Sequence, residues 1–370
     1  MSSQIYYLTP INSESFMINN TRYINILKGN KALREGSFGI VYLVEKENDK
    51  THKKYIIKLS KKFIYKQESE KLKSKELEIK GLENTEENKE KIEEEILKNP
   101  PKGINPVEFR EIEISNILDP NQPVLKMLGF GFCNNHLIML MDYYPTDLKR
   151  FFSENHSNRN VMNEKFIKKI CFKLFTGLAH IHSLGVIHRD IKPENILYDP
   201  STETVKIADF GLSIKVDTFN TNKFIDAGTQ LYKPIETLKY KLIYGSSFDI
   251  WNLGVTISEL ITGDNIFHGA NNESIIKSIE KFFGPLDNKG SNAHSMPNAS
   301  TEDSSSEKAD HLSKKETLKA FIESKAKDVG LSDDFYDLLA QTFIYPPFQR
   351  ISAQKALEHP WFKDCNKSFQ

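Results

Sequence analysis

Three side chains suited to phosphate chemistry stand close together in residues 186–197, which read Val-Ile-His-Arg-Asp-Ile-Lys-Pro-Glu-Asn-Ile-Leu. Asp190 can accept a hydroxyl proton, and Lys192 can neutralise phosphate oxygens. Asn195 offers an amide oxygen, and Asp209, fourteen residues later, offers a carboxylate. Mg²⁺ is a hard ion that prefers oxygen ligands of this kind. The set predicts phosphoryl transfer by a loop held between two short buried strands.

Both parts of this set occur at the spacing of a known family. Residues 188–195 resemble the H-R-D-x-K-x-x-N catalytic loop of eukaryotic protein kinases, and the Asp-Phe-Gly beginning at Asp209 resembles their D-F-G motif. The resemblance implies that Asp190 and Lys192 are catalytic and that Asn195 and Asp209 bind the metal. Lysine at position 192 is typical of the serine/threonine type. The alternative is a polar turn followed by an unrelated Asp-Phe-Gly.

The same resemblance implies a fold, cofactors and a substrate class. The implied fold is α+β and bilobal, with a small β-rich N-lobe that carries the C helix and a larger, mainly α-helical C-lobe. The implied cofactors are ATP and Mg²⁺, and the implied substrate is a protein. A different class remains open, namely a pseudokinase that binds nucleotide or partners as a scaffold without turnover.

Composition narrows the class of protein. The chain of 370 residues is 39% hydrophobic, enough for a substantial core, and its formal net charge is zero. This charge argues against nucleic-acid and membrane partners. No signal-peptide pattern and no bilayer-length apolar run is evident, and the three cysteines read as reduced. We therefore expect the chain in the cytoplasm, the nucleus or both. We also expect a monomer.

A glycine-containing segment precedes the catalytic loop and lies between two β-rich stretches. Gly36 and Gly39 would let backbone amides approach phosphates, because neither carries a Cβ. The segment resembles the kinase glycine-rich loop, which implies that Leu33 and Val41 also contact ATP. Arg34 departs from the pattern, since it stands at the family's first glycine. An ordinary hairpin turn is the alternative.

Lys58 ends the apolar run Tyr-Ile-Ile-Lys, which resembles the V-A-I-K strand of kinases, with Ile56 in place of alanine. The resemblance implies that Lys58 binds the α- and β-phosphates. Residues 108–118 have helical periodicity and resemble the C helix. By register, Glu111 is the expected partner of Lys58. The alternatives are solvated lysines and surface glutamates at Lys53, Lys54, Lys61, Lys62, Glu108 and Glu113.

An apolar run of strand length ends at Met141 and resembles the strand before the kinase hinge. The resemblance implies that Met141 is the gatekeeper and that the backbone of Asp142 and Tyr144 hydrogen-bonds the adenine edge. Asp147 stands where cyclin-dependent kinases place a ribose-side carboxylate. Leu197, after the catalytic loop, completes the predicted ATP-binding set. The alternative is a purely structural linker.

Residues 228–236 resemble the G-T-x-x-Y-x-A-P-E segment, although their last three residues are Pro-Ile-Glu. The resemblance implies that Thr229 bonds to Asp190 and Lys192 and shapes the acceptor-hydroxyl site. It also implies a structural ion pair between Glu236 and Arg350. Three histidines near the catalytic loop, at 180, 182 and 188, lack a fourth ligand at a suitable spacing and are expected in the core or in solvent.

These patterns divide the chain as follows: a mobile arm (1–20), an N-lobe (21–141) with a charged, disordered or solvent-exposed insertion (60–102), a hinge (142–147), a C-lobe (148–363) with an exposed polar loop (287–315), and a tail (364–370). Few apolar residues in the insertion would offset its ordering entropy.

Within the family, the hinge and the Arg-Glu-Ile at 110–112 resemble cyclin-dependent kinases. Arg34, the insertion and the Tyr-Lys at 232–233 resemble the single-subunit CDK-activating kinases of fungi. That resemblance implies a cyclin-dependent kinase as protein substrate. A cyclin partner is compatible with it, but no residue indicates one.

The activation segment departs from cyclin-dependent kinases at two positions. Phe224 stands where they carry the phosphorylated threonine, and Ile214 stands at a basic position of the phosphate pocket. We therefore expect activity without phosphorylation of this loop. Thr218 and Thr221 are the alternative phosphorylation sites.

Overall fold

The structure is a computed structural model that describes residues 4–7, 15–18, 21–28, 31–36, 39–59, 106–133, 136–155, 162–216, 228–241, 245–285, 304–326 and 329–365. The described residues form two compact units. The smaller unit draws on residues 1–120 and 125–144, and the larger on 121–124 and 145–370. The insertion predicted at 60–102 lies outside the described residues. Across the ranges above, no helix is long and apolar enough to cross a membrane.

In the described residues, the smaller unit consists of a sheet and one helix. The main path of the sheet runs β1-β7-β8-β6-β5-β3-β2, and β4 pairs with β5. The strands are β1 (Gln4–Tyr7), β2 (Ser15–Ile18), β3 (Thr21–Asn25), β4 (Arg34–Gly36), β5 (Gly39–Lys46), β6 (Lys54–Leu59), β7 (Met127–Cys133) and β8 (His136–Asp142). The helix is α1 (Pro106–Ile117).

Strand alternation gives this sheet two apolar faces. In β8, Ile138 and Leu140 belong to one buried cluster, whereas Met139 and Met141 belong to another. Successive side chains of a strand point to opposite faces, so a continuous apolar strand must be covered on both sides. Ile112 of α1 packs in the cluster of Met139 and Met141. We call that side the helix face. We call the other side the tyrosine face, because Tyr23, Tyr42 and Tyr55 lie in or against the cluster of Ile138 and Leu140.

The prediction of a mobile arm at residues 1–20 is wrong for the part that the structure describes. Strand β1 pairs in parallel with β7, and β2 pairs with β3. Phe16 and Ile18 are 0% and 1% exposed, in the cluster of the tyrosine face. Alternation in Ser-Phe-Met-Ile is too short to stand out in sequence, but it places two large apolar side chains on the same face.

The larger unit is mainly helical. Its helices are α2 (Leu148–Asn155), α3 (Glu164–Ser183), α4 (Ile235–Tyr240), α5 (Ser247–Thr262), α6 (Asn272–Phe283), α7 (Ser304–Ala326), α8 (Asp333–Gln341) and α9 (Ala353–Ala356). Its strands are β9 (Thr146–Asp147), β10 (Val186–Ile187), β11 (Ile196–Asp199), β12 (Thr204–Ile207) and β13 (Ile214–Lys215). Every residue of α5 after Ser247 is buried, so α5 is the central helix of this unit.

The exposed loop predicted at 287–315 is wrong from Ser304 onward, because α7 begins there. Residues 286–303 lie outside the described residues. The buried face of α7 contains Lys314, Leu318 and Ile322, at 2%, 0% and 0% exposure. Helical spacing of a few apolar residues, rather than composition, anchors this segment. Of the predicted tail, residues 364 and 365 are described, and Cys365 is buried.

Candidate active site

The backbone of the catalytic loop is fixed by a buried carboxylate on α5. Asp249, at 0% exposure, accepts bonds of 2.8 Å from the backbone N–H groups of both His188 and Arg189. Its Oδ2 also lies 2.9 Å from Nε2 of His182. Arg189 has a positive φ of 68°, an unfavourable conformation for a side-chain-bearing residue. The two backbone bonds to Asp249 hold the loop in this strained shape.

Asp190 has donors on both carboxylate oxygens. Its Oδ1 accepts from Thr229, with the backbone nitrogen at 3.0 Å and Oγ1 at 2.7 Å. Its Oδ2 accepts from Lys192 Nζ at 2.7 Å and from Asn195 Nδ2 at 2.9 Å. Lys192 Nζ also donates to Thr229 Oγ1 at 2.8 Å. These four predicted site residues therefore form one polar cluster.

Two opposing effects act on the pKa of Asp190. Burial raises the pKa, but the hydrogen bonds from Lys192 and Thr229 outweigh it, and the pKa lies below its ordinary value. Asp190 is therefore ionised at neutral pH. A depressed pKa makes it a good acceptor for orienting a hydroxyl and a weak base before proton transfer begins.

The predicted metal residues belong to adjoining segments. Asn195 Nδ2 donates to Asp190, so Asn195 Oδ1 is the amide atom suited to a hard cation. Asp209 is exposed and has a positive φ of 66°. The backbone of Ala208 donates to the Asn195 carbonyl at 2.9 Å, which joins the two segments. No group of three or more His, Cys, Asp or Glu residues in the described ranges could hold a metal. One amide and one carboxylate oxygen fit Mg²⁺, which usually keeps several waters.

The segment after Asp209 packs back on the catalytic loop. The ring of Phe210 meets the His188 ring edge-on at 5.0 Å, and Arg189 Nε donates to the Leu212 carbonyl at 2.7 Å. Gly228 has a φ of +91°, and a Cβ there would overlap the carbonyl oxygen of Arg189. Glycine is therefore required immediately before Thr229.

Glu236 and Arg350 form a buried, bidentate ion pair. The Nη1–Oε1 and Nη2–Oε2 distances are 2.7 and 3.1 Å, and the side chains are 2% and 0% exposed. Arg350 also donates to the Ser247 carbonyl at 2.9 Å, and its guanidinium lies 5.0 Å from the Trp251 ring centroid. This geometry fixes the end of the segment that carries Thr229 against α5.

Lys58 and Glu111 form the corresponding pair of the smaller unit. Lys58 Nζ lies 2.6 Å from Glu111 Oε2, and the side chains are 16% and 9% exposed. Lys58 shares the helix face with Ile56, because both alternate with Ile57 of the tyrosine face. Glu113 of the same helix is exposed. The side chain of Glu108 lies outside what the structure describes.

The glycine-containing segment is a hairpin in which Gly36 pairs with Gly39. Residues 37 and 38 lie outside the described residues. Leu33 donates its backbone N–H to the Val41 carbonyl at 2.7 Å. Arg34 is exposed and lies in β4 opposite Val41. An extended strand position accepts any side chain, so the missing first glycine does not disrupt the hairpin.

The hinge segment continues the β6–β8 ladder at its first residues. Met141 lies in the cluster of the helix face, and Asp142 stands opposite Tyr55. Tyr143 N then donates to the Lys54 carbonyl at 3.4 Å. Because peptide groups alternate in direction along a strand, that of Asp142, the last residue of β8, points away from β6.

Asp147 and Leu197 belong to the larger unit, where β9 and β11 place them opposite each other. Asp147 Oδ1 accepts the backbone N–H of Arg150 at 2.9 Å, which satisfies a donor in the first turn of α2. This bond to a peptide N–H orients the carboxylate predicted to meet the ribose.

Several interacting residues were not predicted from the sequence. The motifs described above assign no role to Asp249, and His182 was expected in the core or in solvent. Glu259, 4% exposed, accepts from the Tyr232 hydroxyl and pairs with Lys149. An acid inside the apolar helix α5 was the available signal, because a buried carboxylate needs partners.

The family comparisons agree with this geometry. Residues 27–362 match the protein kinase domain. The chain is 31% identical over 274 residues to cyclin-dependent kinase B2-1 of Oryza sativa subsp. japonica, covering 72% of this chain and 79% of the relative. It is 28% identical over 273 residues to cyclin-dependent kinase 1 of Encephalitozoon cuniculi, covering 72% and 85%. The chain therefore belongs to the protein kinase family and is a serine/threonine protein kinase of the cyclin-dependent-kinase-like type.

Proposed function

We propose that this kinase transfers the γ-phosphoryl group of ATP to a serine or threonine hydroxyl of a protein, with Mg²⁺ as cofactor. The observation that carries the proposal is the polar cluster around Asp190, in which both carboxylate oxygens accept bonds from Lys192, Thr229 and Asn195. The cluster places a carboxylate that can accept a hydroxyl proton beside an ammonium group that can neutralise phosphate oxygens.

Each member of the cluster has a distinct role in the proposal. Asp190 orients the acceptor hydroxyl and takes its proton as the oxygen–phosphorus bond forms. Lys192 stabilises the negative charge of the transferred group, and Thr229 shapes the acceptor site. Phosphoryl transfer depends mainly on positioning and electrostatics, so the weak basicity of Asp190 is compatible with turnover.

Asn195 and Asp209 would hold Mg²⁺, which supplies charge neutralisation on phosphate oxygens when it is bound. The donor set supports this assignment. The amide nitrogen of Asn195 donates to Asp190, which leaves its amide oxygen for the metal, and Asp209 is exposed. The backbone strain at Asp209 fits a functional position, since such strain is concentrated at active sites.

The smaller unit would bind the nucleotide. Lys58, held by Glu111, would contact the α- and β-phosphates, and the Gly36–Gly39 hairpin would offer backbone amides. The backbone of Asp142 and Tyr144 would hydrogen-bond the adenine edge. The remaining predicted nucleotide contacts are Leu33, Val41 and Met141 of the smaller unit and Asp147 and Leu197 of the larger unit.

The proposed protein substrate is the activation-loop threonine of a cyclin-dependent kinase. The support is the combination of Arg34, the 60–102 insertion and the Tyr-Lys at 232–233, which resembles the fungal CDK-activating kinases. Purified cyclin-dependent kinase and a generic basic protein should be compared as acceptors, each with and without cyclin. Equal phosphorylation of the two would contradict this substrate assignment while leaving kinase activity intact.

Transfer of radiolabelled phosphate from Mg²⁺-ATP tests the chemistry and separates it from a scaffold role. We expect the wild-type chain to label a protein acceptor and Asp209→Asn to lose turnover while its thermal midpoint stays unchanged. Near-normal activity of Asp209→Asn would refute the metal assignment. An inactive, folded wild-type chain that binds nucleotide would favour the pseudokinase alternative.

A further inference from the structure

Lys53 precedes β6 and lies against the first hinge residue. Its Nζ is 2.8 Å from Oδ1 of Asp142, and the side chains are 53% and 32% exposed. The same ammonium lies 5.2 Å from the centroid of the Tyr55 ring. The contact with Asp142 raises the pKa of Lys53 above its ordinary value. One cation thus contacts an aromatic ring of β6 and the carboxylate at the end of β8.

These groups lie on the tyrosine face. Tyr55 stands directly opposite Asp142 in the ladder, and its ring meets the Tyr23 ring edge-on at 5.6 Å. Tyr23 is 9% exposed and belongs to the buried cluster of that face. Lys58 lies on the other face of the sheet. The chain of contacts therefore joins the hinge to the core of the smaller unit independently of the Lys58–Glu111 pair.

The backbone of the hinge adds a second observation. The β7–β8 ladder ends with Met127 opposite Met141, one residue before Asp142. Tyr143 donates its N–H to the Lys54 carbonyl, so the peptide group of Asp142, the last residue of β8, points toward the side where the ladder with β7 has ended. The residue whose side chain meets Lys53 is therefore also the first to present a peptide group on that side.

We propose that Lys53 is a positioning residue for nucleotide binding. Its ion pair with Asp142 and its contact with the Tyr55 ring fix the hinge backbone at Asp142. The inference rests on the proposed function, because it takes the hinge as the adenine-binding segment. Lys53 does not touch the reacting atoms, so its loss should change nucleotide affinity and leave the chemical step unchanged.

The test measures Kd for ADP by calorimetry, and KM for ATP and kcat by phosphate transfer, on full-length Lys53→Met. Methionine is an unbranched side chain of similar length that lacks the charge in contact with Asp142 and the Tyr55 ring. We expect Kd and KM to rise about fivefold, equivalent to about 1 kcal/mol, with kcat unchanged. Lys53→Arg should restore both constants, and the difference should shrink in 1 M salt. Lys50→Met, an exposed lysine in the same hairpin turn, is the matched control for net charge.

Three results would overturn the proposal: an unchanged Kd in Lys53→Met, an equal rise in Lys50→Met, or a fall in kcat with KM unchanged. Asp142→Asn combined with Lys53→Met provides a further check, since the double variant should be no weaker than the worse single variant. Calorimetry needs no turnover, so an inactive wild-type chain would refute the proposed function and still leave this inference testable.

Discussion

The two units hold their predicted catalytic groups in different ways. In the larger unit, Asp190 receives bonds from three side chains and a backbone N–H, and the adjoining backbone is fastened to the buried carboxylate of Asp249. In the smaller unit, Lys58 is oriented by an ion pair with Glu111 on a helix packed against the sheet.

This difference separates a carboxylate held by several hydrogen bonds from a lysine oriented by an ion pair. A group held by several short bonds stays in place when any one of them is lost, and its removal affects the reaction directly. A long lysine side chain retains more rotameric freedom when its partner is removed. We therefore expect substitutions in the larger unit to abolish turnover and substitutions around Lys58 to reduce it by degrees.

The largest expected effect follows from Asp190→Asn. The substitution keeps the shape of the side chain but removes the charge that Lys192 and Thr229 stabilise. We expect kcat to fall about 10³-fold, because a positioned base and its electrostatic field are lost together. Steady-state phosphate transfer measures this, and Asp199→Asn, on an exposed turn of the same unit, is the matched control.

The pH profile gives a second check on Asp190. Its folded-state pKa is depressed, so the stability it contributes is present above its ordinary pKa and is lost as pH falls through the lower folded value. We expect no titration of Asp190 in kcat between about pH 5 and 8. A kcat inflection in that range that disappears in Asp190→Asn would contradict the depressed pKa.

Sequence motifs predicted the larger unit's cluster because its members lie in short segments of fixed spacing. Register alone selected Glu111 and not Glu113, and the structure has Glu111 paired with Lys58. The partners of Asp249 and Glu259 could not be predicted, because burial in α5 and contacts across 27 to 110 positions depend on packing. Two predictions were wrong: the mobile arm, which contains Phe16, and the exposed loop, which extends past Ser304. In both segments a few apolar residues at regular spacing are buried, although the composition of the segment is polar.

A large loss of stability is expected from Arg350→Met. The substitution leaves Glu236 buried without its cation, and breaking such a pair typically costs about 3–5 kcal/mol. Chemical unfolding should report this loss in the larger unit. Arg150→Met is the matched control, because the Arg150–Glu154 pair is exposed and should contribute under about 1 kcal/mol. Equal losses in both variants would show that burial of the pair is not decisive.

Phe16→Ala tests the support of the smaller unit on the face opposite Lys58. Phe16 is fully buried, and its ring lies 5.1 Å from that of Tyr42. We expect the free energy of unfolding to fall by about 3 kcal/mol, because transfer free energy is lost and a cavity is left behind. Ile24→Ala, a 38% exposed position on the adjoining strand, should cost much less. No difference between the two variants would mean that β2 does not pack on the sheet in solution.

Glu111→Gln removes the ion pair that orients Lys58. The neutral amide keeps the shape but loses the charge-assisted bond, worth about 1.5–3 kcal/mol. We expect kcat/KM to fall about 10- to 100-fold with an unchanged thermal midpoint. Glu113→Gln, exposed on the same helix, should behave as wild type. A loss as complete as that of Asp190→Asn would erase the distinction drawn between the two units.

The smallest expected effect concerns phosphorylation of the activation segment. It tests whether the larger unit needs a phosphate, in addition to the bonds around Asp190, to be active. Ile214 pairs with Ile187 in β10 and β13, so the position that is basic in cyclin-dependent kinases carries an apolar strand residue here. Phe224, Thr218 and Thr221 lie outside the described residues.

Because an isoleucine cannot bind a phosphate, we expect the bacterially expressed chain to be fully active. Mass spectrometry should first show that it is unmodified at both threonines. Thr218→Ala and Thr221→Ala should then change kcat less than twofold. An unmodified chain that is inactive and gains activity when either threonine is phosphorylated would show that the many bonds around Asp190 are not sufficient to hold the catalytic loop ready.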